Sequence, residues 1–155
     1  MDDKKLAIIA TKGSLDWAYP PFILASTASA LGYETEIFFT FYGLALLKKK
    51  LNLQVTSLGN PAMPMPVPVP VIFQTMPGMQ AMMSNMMKKT MKKKGVASIE
   101  ELRDLCFEAE VKMVACQMTV DLFDFKTSEF VEGIEYGGAA TFFEFAGQSD
   151  ICLYI

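Results

Sequence analysis

The sequence LAIIAT at residues 6–11 gives the first indication of the fold class of this chain. It is a short, continuously apolar run, which is typical of a strand buried on both faces of a parallel sheet. A turn at residues 12–14 follows it, and the segment from Asp16 to Leu31 then predicts a helix that is closed by the next glycine. Because proline is tolerated only near the first turn of a helix, the pair at residues 20 and 21 predicts a separate short turn over residues 14–19.

Strands and helices continue to alternate along the rest of the chain. Aromatic, β-branched and apolar runs predict strands, while apolar spacing, a capping box at Ser98 and Glu101, and paired glycines predict helices. The predicted strands are residues 33–41, 53–57, 111–115 and 151–155, and the predicted helices are residues 42–50, 79–94, 99–109, 138–147 and a short one that begins near Met118 or Thr119. This order predicts a single α/β domain over residues 1–155, in which a doubly wound, mostly parallel sheet is sandwiched by helices.

Bulk composition narrows the class of protein. The longest clean apolar stretch, residues 37–47, is too short to span a bilayer, and the charged residues 2–5 do not begin a signal peptide, so we predict a cytoplasmic protein. The three cysteines are an odd number and contain no CxxC pair, which argues against a disulfide framework and against a structural metal site. Histidine is absent, which excludes Ser/His and Cys/His catalytic pairs.

Charge and proline are distributed unevenly along the chain. Residues 37–99 contain eight lysines and no acidic residue, whereas residues 95–155 contain twelve carboxylates, so we predict a basic face and an acidic face. Proline at every second position from 64 to 70 predicts an extended, polyproline-like loop at about residues 59–78. The methionine stripe of the next helix predicts core or interface packing, and its flanking lysines predict a solvated helix end without nucleic acid contact.

Cys116 is the candidate nucleophile, because it directly follows the predicted strand at residues 111–115. Ligands of an open parallel sheet bind at the carboxyl ends of its strands. A cysteine at the start of a helix faces unpaired backbone N–H groups, which stabilise the thiolate. The N–H groups of Gln117, Met118 and Thr119 are expected to hold a persulfide or thiosulfonate anion in the same way.

Two further loops end at the same edge of the predicted sheet. Lys12 and Gly13 follow the first strand, and they are candidate anion-binding residues. With histidine absent, Lys12 and the backbone N–H groups are the evident activators of the thiol. Asn60 and Pro61 begin the proline-rich loop and are expected to lie near the site.

The three cysteines leave alternatives open. Cys116 is equally well explained as a small, buried residue at a strand end. Cys106 lies on the apolar stripe of its helix, which favours packing, and the alternative is a second thiol that resolves or relays sulfur from Cys116. Cys152 has apolar neighbours in the last strand, which predicts a structural residue.

Five groups of residues, spread over nearly the whole chain, form a recognisable set. They are Ala10-Thr11-Lys12-Gly13 with Leu15-Asp16 and Tyr19-Pro20, Phe39-Thr40-Phe41 with Gly43-Leu44, Gly59-Asn60-Pro61-Ala62-Met63-Pro64, Ala115-Cys116-Gln117-Met118-Thr119, and Glu135-Tyr136-Gly137-Gly138-Ala139-Ala140. This set resembles the DsrE/DsrF-like family. The resemblance implies a flavodoxin-like sandwich that self-associates as a trimer or a larger assembly. It also implies that Cys116 accepts sulfane sulfur and passes it to a partner thiol.

The resemblance also implies the kind of partner. Relatives are thought to exchange thiosulfate or persulfide sulfur with small TusA-like carriers and rhodaneses, so we expect such a partner here, and one charged face would suit it. Thiol exchange needs no metal and no organic cofactor, so we expect neither. We expect a sulfurtransferase with slow or carrier-type turnover, for which carrier is a safer description than enzyme.

Two other functions are compatible with the sequence. A non-catalytic oligomeric scaffold would dock a partner or touch a membrane surface through its Met/Pro-rich segment, and a Cys116→Ser protein would then keep every cellular role. A nucleotide-type ligand binder would use the turns at Gly13 and Gly138. It would show a thermal shift with nucleotides and none with thiosulfate.

Overall fold

Five parallel strands form the sheet in the computed structural model, which describes residues 4–56, 72 and 76–155. The strands are β1 (Lys5–Ala10), β2 (Glu34–Phe39), β3 (Lys112–Cys116), β4 (Glu135–Gly137) and β5 (Ile151–Tyr154). Their order across the sheet is β4-β3-β2-β1-β5, and every pair of neighbours is parallel. The chain therefore winds from β1 outward to β4 and then crosses back to β5 on the other side of β1, which confirms the predicted doubly wound α/β fold.

Helices cover both faces of this sheet. They are α1 (Leu15–Ala30), α2 (Met79–Lys93), α3 (Ile99–Glu108), α4 (Gln117–Leu122) and α5 (Ala139–Ala146), with 3-10 helices at Phe41–Leu47 and Thr127–Glu129. The larger core lies on one face, where Phe22 of α1, Leu44 of the first 3-10 helix and Cys106 of α3 are fully buried. On the other face, Phe142 of α5 packs against Phe38 of β2, with 5.4 Å between the ring centroids. None of the helices in the described part of the chain has the length and apolar character needed to cross a bilayer.

Helix α1 is continuous, so the separate turn predicted before its prolines is wrong. Pro20 and Pro21 lie inside it and cannot donate backbone hydrogen bonds to the carbonyl groups of Asp16 and Trp17. A proline in a helix interior costs about 3 kcal/mol. Burial of the apolar face of α1, which includes Phe22 and Pro21 itself, offsets this cost.

Residues 51–56 do not join the sheet, so the strand predicted at residues 53–57 is wrong for the part that the structure describes. Strand β2 already has β1 and β3 as its neighbours, which leaves no position beside it. The backbone of this segment bonds to α2 instead, since Val55 N–H donates to Ser84 Oγ at 2.9 Å and Val55 O accepts from Gln80 Nε2 at 2.8 Å. These bonds satisfy the backbone groups that a strand would have paired with the sheet.

The remaining short elements differ in how well the neighbouring residues in the sequence predict them. The capping box is confirmed, since Glu101 N–H donates to Ser98 Oγ at 3.2 Å and Ser98 N–H donates to Glu101 Oε2 at 2.7 Å. Strand β4 is not predicted, because its three residues carry no strand pattern. The helix predicted at residues 42–50 is the first 3-10 helix, and most of the proline-rich loop predicted at residues 59–78 lies outside the described residues.

Candidate functional site

Cys116 is the last residue of β3 and the N-cap residue of α4. Because side chains alternate across a strand, Cys116 and Val114 point to the face that α5 covers, and both belong to the cluster that contains Phe142. In the register of the sheet, Cys116 pairs with Gly137 of β4, which directly precedes the N-cap residue of α5, Gly138. The sulfur therefore lies at the carboxyl edge of the sheet, in a residue that is only 4% exposed.

Two threonine hydroxyl groups and one strained backbone amide meet beside Cys116. Thr119 of α4 is fully buried, and its Oγ1 lies 3.3 Å from Oγ1 of Thr40, which follows β2. Phe41 N–H donates to Thr119 Oγ1 at 3.3 Å. Phe41 has a φ of 49°, in the left-handed region that a non-glycine residue adopts only at a cost. The first 3-10 helix therefore begins with local strain that directs this N–H toward Thr119.

Two glycines allow the loops at this edge to approach each other. A Cβ at Gly43 would collide with the carbonyl oxygen of Ala10, and a Cβ at Gly13 would collide with the carbonyl oxygen of Tyr42. The segment after β1 and the segment after β2 are thus in direct backbone contact. A larger residue at either glycine would displace the segment that contains Phe41, whose N–H donates to Thr119 Oγ1.

The pKa of the Cys116 thiol is lower than that of an ordinary cysteine. Burial alone raises this pKa, but the hydroxyl groups of Thr119 and Thr40 and the backbone N–H groups of Thr119 and Met118 more than offset burial. Within the described chain the sulfur makes no capping hydrogen bond of full geometry, so these donors act together rather than through one bond. The environment therefore favours the thiolate, which is the nucleophilic form of cysteine.

Cys106 has the opposite environment. It is fully buried in the larger core, and its S–H donates to Phe22 O at 3.4 Å. Burial raises the pKa of this thiol to about 11, although a backbone hydrogen bond at Ser26 acts against the increase. Its helix covers the face of the sheet opposite to that of Cys116, so the sheet separates the two sulfur atoms. The geometry favours packing for Cys106 and does not bring it to Cys116.

Cys152, predicted to be a structural residue, is exposed. It lies on β5, which is an edge strand with β1 as its one neighbour in the described sheet. Its apolar neighbours in the sequence indicate a strand correctly, but they do not reveal that this strand lies at the edge. Cys152 is therefore an accessible thiol away from the candidate site.

Lys12 and Gly13 line a cavity that we call the aromatic groove. Its volume is about 1210 Å³, and Cys116 is not among the described residues that line it. The described lining residues include Lys12, Gly13, Trp17, Phe41, Tyr42, Lys48, Lys50, Phe123 and Phe125. Lys12 Nζ lies 3.2 Å from the centroid of the Trp17 ring, which is a cation–π contact. The structure thus places Lys12 on Trp17 rather than on the thiol.

The other predicted site residues fall into two groups. Gln117, Met118 and Thr119 form the first turn of α4 and directly follow the candidate nucleophile. Asn60 and Pro61 lie outside the residues that the structure describes. Over the described ranges, no three side chains of the kind that ligate metals gather in one place.

Thr40 and Phe41 also belong to this site, although no sequence pattern indicates them as site residues. The signal that could have found them is their position directly after β2. Strand β2 pairs with β3, and the carboxyl ends of neighbouring parallel strands lie at the same edge of a sheet. The predicted strand at residues 33–41 extended over both residues and concealed this position.

Known proteins resemble this chain over its whole length. The model of the DsrE/DsrF/DrsH-like family matches residues 2–154. The sulfur carrier protein DsrE2 of Allochromatium vinosum is 74% identical over 159 aligned positions, with 100% of each chain covered. The uncharacterized protein YrkE of Bacillus subtilis is 30% identical over 155 positions, with 98% of this chain and 97% of that protein covered. The crystal structure of the ychN protein from E. coli matches with a TM-score of 0.55 and 12% identity, over 98% of this chain and 99% of that one, which is a similarity of fold alone.

Proposed function

Because the chain belongs to the DsrE/DsrF/DrsH-like family, we propose that it is a sulfur carrier whose Cys116 thiolate accepts sulfane sulfur and passes it to a partner thiol. The relative from Allochromatium vinosum, which is named a sulfur carrier protein, supports the general role. What supports Cys116 over Cys106 is its place at the carboxyl end of β3 and the start of α4, where the surrounding donors lower the pKa of its thiol, whereas burial raises the pKa of Cys106.

The accepting step is a thiol exchange that needs no added oxidant. The Cys116 thiolate attacks the outer sulfur of a persulfide anion, a new S–S bond forms at Cys116, and the S–S bond of the donor breaks. The donor leaves as a thiolate with the electron pair of the broken bond. With thiosulfate as the donor, the same attack on the outer sulfur releases sulfite. In both cases the product is a Cys116 persulfide anion.

The donors around Cys116 suit this product. The backbone N–H groups of Met118 and Thr119 and the hydroxyl group of Thr119 stabilise negative charge on sulfur. In the second step, a partner thiolate attacks the outer sulfur and Cys116 leaves as a thiolate. A thiol with a lowered pKa leaves faster, so the same environment assists loading and release.

Because Cys116 is buried, the loaded and unloaded forms differ in how accessible the reactive sulfur atom is to a partner protein. In the unloaded form Cys116 is only 4% exposed, so a narrow donor group, such as the terminal sulfur of a persulfide, is best able to reach the Cys116 sulfur. An S–S bond is about 2 Å long, so the outer sulfur of a persulfide extends farther toward solvent. A partner protein therefore reaches the loaded form more easily than the unloaded one.

The nature of the partner and of the assembly are further parts of this proposal. We expect the partner thiol to belong to a TusA-like carrier or a rhodanese, in the cytoplasm. We also expect a homo-oligomer, as a trimer or a larger assembly. Light scattering after gel filtration measures the assembly, and transfer of labelled sulfur to a purified carrier measures the exchange. A monomer, or a loaded protein that keeps its sulfur with every such carrier, would contradict these parts.

Intact-protein mass spectrometry tests the central step. The protein is incubated with thiosulfate, polysulfide or glutathione persulfide, and every variant carries Cys152→Ser because that exposed thiol reacts by itself. We expect the parent and Cys106→Ser to gain the mass of one or more sulfur atoms, which dithiothreitol removes. We expect Cys116→Ser to gain none. An equal gain on Cys116→Ser, or no gain on any form, would contradict the proposal.

A further inference from the structure

The aromatic groove lies where an open parallel sheet binds its ligands. Its walls include the loop after β1 and the first 3-10 helix after β2, both of which follow the carboxyl ends of strands. Its volume of about 1210 Å³ exceeds the range of about 300–1,000 Å³ that is usual for small-molecule pockets. The sulfur exchange proposed for Cys116 leaves this cavity without a role.

The described walls of the groove carry positive charge. Lys12, Lys48 and Lys50 line it, and no carboxylate is among the described lining residues. Lys48 Nζ lies 3.3 Å from Glu129 and is partly neutralised, whereas Lys12 and Lys50 form no ion pair with any described residue. The Trp17 ring holds the Lys12 ammonium group in place. Two available cations beside apolar walls attract an anionic ligand.

Aromatic rings form the apolar part of the groove. The Tyr42 ring stacks on Phe123 with 6.0 Å between the centroids and 21° between the planes, yet Tyr42 is 70% exposed. Phe41 beside it is 44% exposed. Phe123 thus contacts only part of the Tyr42 ring, and most of the Tyr42 side chain is open to solvent. A planar ring of a ligand can stack on the exposed part of the Tyr42 ring, as nucleic acid bases do on exposed aromatic side chains.

We propose that the aromatic groove binds a ligand of the nucleotide class, whose base stacks on Tyr42 and whose phosphates pair with Lys12 and Lys50. An uncharged aromatic compound would leave the two lysines without partners, and an inorganic anion would leave the ring uncovered. The site needs none of the sulfur chemistry at Cys116. It is connected to that chemistry through Phe41, which lines the groove and donates its N–H to Thr119.

Calorimetric titration of the full chain with ATP tests this site, with adenosine and tripolyphosphate as the two separated parts of the ligand. Trp17 is the single tryptophan of the chain and lies in the groove, so its fluorescence gives a second, local reading. We expect saturable binding of ATP with a change in Trp17 fluorescence. We expect ATP to bind at least about tenfold more tightly than either part, because base stacking and phosphate pairing act together.

Three variants locate the ligand. Lys12→Met and Tyr42→Ala change exposed side chains and are each expected to weaken ATP binding about tenfold. Lys4→Met, which removes an exposed lysine before β1 at the opposite edge of the sheet, is the matched control and should change nothing. Tyr42→Ala should leave the binding of tripolyphosphate unchanged. Either of two results with ATP would overturn the proposal: no saturable heat up to about 10 mM ATP, or binding that is no tighter than that of tripolyphosphate and is unchanged in Tyr42→Ala. An acidic peptide that binds where ATP does not would overturn it as well.

Discussion

Replacing Thr119 with valine removes a hydroxyl group beside Cys116 while keeping the shape of the buried side chain. The hydroxyl of Thr119 is the first of the groups that lower the pKa of the Cys116 thiol against burial. A hydrogen bond to a charged group contributes about 1.5–3 kcal/mol, and the low end of this range applies here because the sulfur makes no capping hydrogen bond of full geometry. Loss of about 1.4 kcal/mol of thiolate stabilisation corresponds to a tenfold change in an equilibrium constant. We therefore compare the Cys116 thiol at a pH below its pKa in both the parent protein and Thr119→Val. At such a pH we expect the thiolate fraction of the variant to be about tenfold or more below that of the parent.

The assay is the rate of iodoacetamide alkylation of Cys116 as a function of pH, in a Cys152→Ser background. Cys106 contributes little to this rate, because it is buried and its pKa is raised to about 11. Thr119→Ser keeps the hydroxyl and should retain most of the parent rate, and Thr127→Val is a control for the same change at an exposed threonine. Circular dichroism must show a folded protein, since Phe41 N–H loses its acceptor at a cost of about 1–3 kcal/mol. A folded Thr119→Val protein with the pH profile of the parent would refute the assignment of Thr119 as a thiolate donor.

Three further predictions concern stability, measured as the free energy of unfolding in urea. Burial raises the pKa of the Glu36 carboxyl, and this effect is larger than the opposite effect of Lys112, whose Nζ lies 3.4 Å away. The folded protein therefore holds the carboxyl proton of Glu36 more tightly than the unfolded chain does. The free energy of unfolding falls as the pH rises through the folded pKa. Glu36→Gln should therefore gain about 1 kcal/mol near neutral pH and show a flatter decline above the usual pKa range of glutamate; a loss of stability there would contradict this. Arg103 is buried, and its Nη1 donates to the backbone carbonyl groups of Leu46 at 2.9 Å and Lys48 at 2.8 Å, at the end of the first 3-10 helix. Arg103→Met should therefore lower the free energy of unfolding by about 3 kcal/mol. An unchanged free energy of unfolding would show that these carbonyl groups find other donors. Ser98→Ala removes the capping box of α3 and should lose about 1 kcal/mol, whereas Ser98→Asp, which keeps an acceptor, should lose less.

Features with local signals can be predicted from the amino-acid sequence alone. Apolar runs and helical spacing predict the alternation of strands and helices, and the capping box at Ser98 predicts the start of α3. The run from Val111 to Thr119 places Cys116 at a junction between a strand and a helix, next to the N–H groups of the following turn. These features depend on hydrogen bonds and side-chain periodicity within one element, which neighbouring residues in the chain specify.

The tertiary fold determines which elements become neighbours, and the rest of the site depends on that. Thr40 and Thr119 are 79 residues apart in the chain, yet their hydroxyl groups meet because β2 and β3 lie side by side. The position of β5 at the sheet edge exposes Cys152, and packing of α1 on the sheet preserves a helix that its prolines argue against. Burial and the approach of distant side chains are properties of the assembled layers, so no local pattern specifies them.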